Sequence, residues 1–157
     1  MGVSHSVLIA EARNLLEMPL KKVGYQFEPS PPNGQWLFWF EKSLQKPKDM
    51  FYIIEFQPGG FEVDDEFFDI AVNLHRRTKR EELGDHVQGN PQQIWALRLR
   101  PRFWGETGPD SGIGTRWHFI SVEELRIAYK DILEKLKKYA IPFLEDPNST
   151  WRSGMGL

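Results

Sequence analysis

From Phe67 to His75 the chain alternates, with Phe68, Ile70, Val72 and Leu74 on one side and Asp69, Ala71, Asn73 and His75 on the other. A period of two belongs to a β-strand whose two faces meet different surroundings. That one segment excludes an all-helical fold and calls for a sheet with a covered face. Two later runs repeat the pattern. Ile94 to Arg100 sets Trp95, Leu97 and Leu99 against Arg98 and Arg100, and Thr115 to Ile120 sets Trp117 and Phe119 against Arg116 and His118. Upstream, Gln35 to Lys42 and Met50 to Phe56 are apolar on both faces, and Val23 to Phe27 is a short strand-like run. Pro29 to Gly34 reads as a turn, and Pro58-Gly59-Gly60 reads as the end of the third strand.

Helical spacing brackets these strands. Residues 6 to 20 place Leu8, Ala12, Leu15 and Leu16 on one stripe with Glu11, Arg13 and Glu17 opposite, and Gly24 closes the element. Ser121-Val122-Glu123-Glu124 is a capping box, with Ser121 as N-cap and Glu124 expected to reach back to its amide. Leu125, Tyr129, Ile132, Leu136 and Tyr139 follow as one stripe, and Pro142 is expected to stop the helix. The implied fold is α+β: an N-terminal helix, an antiparallel meander of five to six strands and a C-terminal helix, both helices on one sheet face.

A chain of 157 residues is read as one domain, with a core over 6–146 and a tail over 147–157 that Trp151 could anchor. A net charge of −2 argues against a surface that binds nucleic acid everywhere. With no cysteine, disulfide frameworks, thiolate metal sites and cysteine nucleophiles are excluded. Val7 to Ala10 is too short for a signal-peptide core, and no apolar stretch approaches the roughly 20 residues of a membrane span. Gly2 and Ser6 satisfy a loose myristoylation pattern, and Asn148-Ser149-Thr150 is a sequon without a secretory context. A cytoplasmic protein is expected.

The order of segments "KKVGYQF", "WLFWFEK", "FYIIEFQ", "FDIAVNL", "RWHFIS" and "YAIPFLED" resembles a family of small bacterial α+β domains of unknown function, over about residues 6–146. The resemblance implies this fold and a prokaryotic origin. It implies no catalytic residue.

Few residues carry a recognisable chemistry. Gly108 to Thr115 is rich in glycine but lacks the lysine and following helix of a phosphate loop, and Ser111 lacks the context of a nucleophile elbow. Glu55, Glu62, Asp64, Asp65, Glu66 and Asp69 form an acidic run without EF-hand spacing. His5, His75, His86 and His118 show no zinc spacing, so no metal, cofactor or catalytic residue is expected. Arg76, Arg77, Lys79 and Arg80 gather four cations in five residues, a candidate contact for a phosphate backbone.

The strongest expectation concerns a face. If the last three strands are neighbours, Asn73, His75, Arg98, Arg100, Arg116 and His118 share the side away from the helices, with Trp36 and Trp39 nearby. Arginine beside aromatic surface is the composition of a protein-binding hot spot. The chain thus reads as a non-enzymatic interaction module for a protein partner, its oligomeric state open. The alternatives are a nucleic-acid binder using the Arg76–Arg80 cluster, or an enzyme with His75 or His118 as base near Arg98.

Overall fold

The alternating segment becomes the centre of a long strand in the computed structural model, which describes residues 2–29, 36–44, 50–77, 94–105 and 115–146. The strands are β1 (Gln26–Glu28), β2 (Phe38–Leu44), β3 (Met50–Phe61), β4 (Glu66–Arg77), β5 (Ile94–Arg98) and β6 (Trp117–His118). All pairings are antiparallel, in the order β1-β2-β3-β4-β5. β5 takes Asn73 to Arg77 of β4, and β6 continues the same edge at Asp69 and Ile70. The expected meander is therefore present.

β3 is longer than its sequence suggests. Pro58-Gly59-Gly60 does not end it; the strand runs on to Phe61 with a β-bulge between Gly59 and Gly60. A Cβ on Gly60 would lie 2.2 Å from the Glu66 carbonyl oxygen, so only glycine lets the strands approach this closely. The chain then turns through a 3-10 turn at Glu62–Asp64 and a left-handed Asp65.

The helices are α1 (His5–Ala12), α2 (Met18–Lys22), α3 (Val122–Lys135) and α4 (Ile141–Glu145). A π-helical turn joins each pair, Arg13–Glu17 in the first and Leu136–Ala140 in the second. Both turns stand just ahead of a proline, Pro19 or Pro142. Proline has no N–H to donate and its ring collides with the carbonyl four residues back. Widening the preceding turn to an i→i+5 pattern relieves that collision. Pro142 consequently does not stop the C-terminal helix, which continues to Glu145.

The caps follow from local chemistry. Gly24, at φ 99°, closes α2: its amide bonds the Lys21 carbonyl and the Tyr25 amide bonds that of Leu20. At α3 the Ser121 hydroxyl accepts from the Glu124 amide at 3.2 Å. The Glu124 carboxylate reaches one residue further back than a capping box requires, to the Ile120 amide at 2.7 Å.

One core cluster takes Leu8, Ala12, Leu16 and Leu20 from the first helical segment and Leu125, Tyr129, Ile132 and Leu136 from the second. The same cluster holds Phe38, Phe40, Ile54, Phe56, Val72 and Leu74, side chains of a single sheet face. Both helical segments therefore cover that face. The π-turn at Leu136 shifts the stripe, so Ala140, Ile141 and Leu144 are buried while Tyr139 is half-buried. Tyr129 ties the segments together by donating its buried hydroxyl to the Leu8 carbonyl at 2.9 Å. Glu11, expected on the polar side, is buried against a bidentate partner, Arg126, at 2.9 and 3.0 Å. Among the described residues, no helix is long and apolar enough to cross a membrane.

Candidate functional site

Register carries the polar side chains of neighbouring strands into rows on the sheet face away from the helices. One row runs Glu28, Trp39, Glu55, Asn73, Arg98 across β1 to β5. The next runs Gln26, Glu41, Ile53, His75, Ala96. Asn73, His75 and Arg98 thus share the face on which their alternation put them. Arg100 follows Leu99, which is buried in the core, so alternation returns Arg100 to the same face.

The middle of this face is enclosed. Glu55 and His75 have no exposed surface, and Asn73, Trp39 and Glu41 are buried too. Burying polar groups is tolerable only when they are paired, and the pairing is extensive. His75 Nε2 stands 3.5 Å from Glu55 Oε1. Asn73 donates to the same Glu55 oxygen at 2.9 Å and to Gln57 Oε1 at 3.3 Å. Arg98 donates to Asn73 Oδ1 at 2.7 Å and to Gln57 Oε1 at 3.2 Å. Burial, then the neighbouring Arg116, pull the Arg98 guanidinium below the ordinary arginine range, while Glu55 and Asp69 oppose them.

Arg116 extends the network. It reaches Asp69 at 2.6 and 2.7 Å and the Gln57 carbonyl at 3.4 Å. Gly59 makes room for that pair: a Cβ there would meet Asp69 Oδ1 at 2.2 Å and Arg116 at 2.5 Å. His118, opposite Asp69 in β6, is exposed.

Several expectations need correction. The face is not lined by arginine, histidine and asparagine alone: Glu28, Glu41, Glu55 and Asp69 share it with Arg98, Arg100 and Arg116. Trp36 is not on it. Its ring sits on the helix side, 4.8 Å from His5 and 5.3 Å from Phe67, and its carbonyl accepts from His5 Nε2 at 3.0 Å. Trp39 is on the face but buried, and its indole N–H has no hydrogen-bond partner among the described residues. Arg76 does not join an open basic cluster. It points to the helix side and donates to the Leu144 and Asp146 carbonyls at 2.6 and 3.0 Å. Burial lowers its pKa, opposed by Tyr52 and Asp146. Arg77 ends β4, and Lys79 and Arg80 lie outside the described residues, as do the 106–114 part of the glycine-rich loop, His86 and the 147–157 tail.

The acidic run of the sequence divides into four. Glu55 is enclosed beside His75, Glu66 opens β4, Asp69 holds Arg116, and Glu62, Asp64 and Asp65 stand in the exposed β3–β4 turn. Among the described residues no three acidic or histidine side chains are arranged to hold a metal.

Sequence reasoning missed two things. Glu55 and Gln57 belong to this face by parity with Ile53, a signal hidden inside the apolar run Met50 to Phe56. The second is an apolar corner where β6 joins β4. Phe61, Val63 and Ile120 are 62%, 99% and 64% exposed there. Phe61 packs edge-on against Phe68 at 5.4 Å, and Phe68 accepts from the Phe119 amide beside Ile120.

No protein-family model matches this chain, nor does a curated protein or a solved structure.

Proposed function

We propose that this protein is a non-enzymatic interaction module that engages a protein partner. The observation that carries the reading is the exposure of Phe61, Val63 and Ile120 at one end of a sheet whose other described large side chains are mostly covered. Large apolar side chains left in solvent on a turn, as Phe61 and Val63 are, point to an interaction site. The contact lies at the edge of the polar face, where Arg116 and the exposed His118 adjoin that corner. Binding is favoured over catalysis because Glu55 and His75, the pair best suited to proton transfer, are fully enclosed by the fold. Nucleic-acid binding is less well supported: Arg76 is engaged by helix-end carbonyls, and the exposed corner is rimmed by carboxylates. A bacterial origin, as the family resemblance implies, and a cytoplasmic location belong to the same proposal.

The test is quantitative affinity purification from the native source with two baits, the wild type and the Phe61→Ser/Ile120→Ser double variant. A defined partner retained by the first and lost by the second is the expected result. Identical recovery with both baits would remove the reading.

A further inference from the structure

The apolar corner has a charge of its own. In the β3–β4 turn Glu62, Asp64 and Asp65 are exposed around Phe61 and Val63, and Glu123 and Glu124 are exposed in the first turn of α3 beside Ile120. Among residues 61–66 and 117–124 only His118 can carry a positive charge. The neighbouring Arg116 is already committed to Asp69. Two segments far apart in sequence, linked through Phe68, thus each present exposed apolar side chains flanked in the chain by exposed carboxylates. Local structure accounts for two of the acids: Asp65 accepts from the His5 amide at 3.0 Å and Glu124 from the Ile120 amide. Glu62, Asp64 and Glu123 have no such capping role in the described fold.

We propose that this corner docks a protein surface presenting an apolar residue ringed by lysine and arginine. The proposal rests on the reading of the chain as an interaction module and names the chemistry of its partner. Burial of the apolar centre supplies the affinity, and the carboxylate rim supplies orientation and discrimination. A partner with an acidic rim is repelled, as is a phosphate backbone or an anionic lipid surface, since like charges brought together in a closing interface are costly. Val63, in the turn, is 99% exposed and so is open to a partner.

The test places a photo-crosslinking amino acid at Val63, and at Ile127 on the outer side of α3 as a comparison position, in the full chain within its native source. Ile127 is also well exposed, at 68%. The expected result is a crosslink from Val63 to a partner peptide containing several lysines or arginines. Phe61→Ser should lower its yield about thirtyfold, as loss of a central contact does. Glu62→Lys with Asp64→Lys should lower it about tenfold at low ionic strength and less at high salt. All three positions are exposed, and circular dichroism of each variant separates loss of binding from loss of fold.

A Val63 crosslink that charge reversal leaves unchanged, or that maps to a peptide without basic residues, overturns the basic partner and leaves the interaction module standing. A crosslink from Ile127 alone overturns the corner as the site. No protein crosslink from either position overturns the module reading and this proposal with it.

Discussion

The two faces of the sheet are made by the same strands, yet they bury their side chains on different terms. Under the helices, Phe38 stacks on Phe56 at 5.1 Å with planes 3° apart, and Tyr129 meets Phe56 edge-on at 6.1 Å. Those contacts are apolar, individually weak and collectively large. On the opposite face Asn73 donates to the equally buried Glu55, and the enclosed His75 stands 3.5 Å from the same Glu55 oxygen. The first face tolerates a change of shape better than a change of polarity. On the second, one missing partner leaves a buried polar group stranded.

The largest expected effect is on the apolar side. Phe56→Ala removes a fully buried ring with three aromatic neighbours and should destabilise the fold by about 3–5 kcal/mol in urea titration. A loss under about 1 kcal/mol would break the comparison, because that face would then not be close-packed.

Next comes the polar side. Asn73→Ala deprives Glu55 of a donor and Arg98 of an acceptor at once, and should cost about 2–3 kcal/mol by the same titration. If Asn73→Leu, similar in size but apolar, restores the lost stability, space rather than bonding governs this face. Gly59→Ala should follow at about 1–2 kcal/mol, since its Cβ pushes into the Asp69–Arg116 pair. That cost should shrink in an Asp69→Ala/Arg116→Ala background; an unchanged cost would place the strain in the backbone.

The smallest effect concerns a pair outside both faces. The Arg126 hydrogen bond and charge, together stronger than the opposing burial, hold the Glu11 carboxyl below the ordinary glutamate range. A depressed carboxyl stabilises fully above its unfolded pKa of about 4.3 and loses that stabilisation as pH falls through its lower folded value. Glu11→Gln should therefore be less stable than wild type at neutral pH and equal to it at the acid end. A stability gap independent of pH would assign Glu11 a packing role instead.

Much of this was readable from residue order alone, and the failures share a cause. Period-two alternation identified β4 and put Asn73, His75 and Arg98 on one face, because the parity of a strand is strictly local. Which residues stand opposite each other depends on register, which parity does not determine; hence sequence order places Glu55 with the acids that follow it instead of with His75. Sequence order likewise places Arg76 with its cationic neighbours although it has the parity of Leu74, and the structure follows parity. Prolines misled in the opposite sense. At Pro58 and Pro142 a local rule for ending an element gave way to a bulge and a π-turn that the surrounding packing sustains.

Those π-turns bear on how this chain tolerates changes of length. Each amounts to one residue inserted into a regular helix and absorbed within a single turn. Removing a residue from Arg13–Glu17 would let an ordinary helix form locally. It would also rotate Leu8 and Ala12 about 100° relative to Leu16 and Leu20 and carry them out of the core. Such a deletion would be more damaging than a substitution at any single position of that turn, and the same holds for Leu136–Ala140.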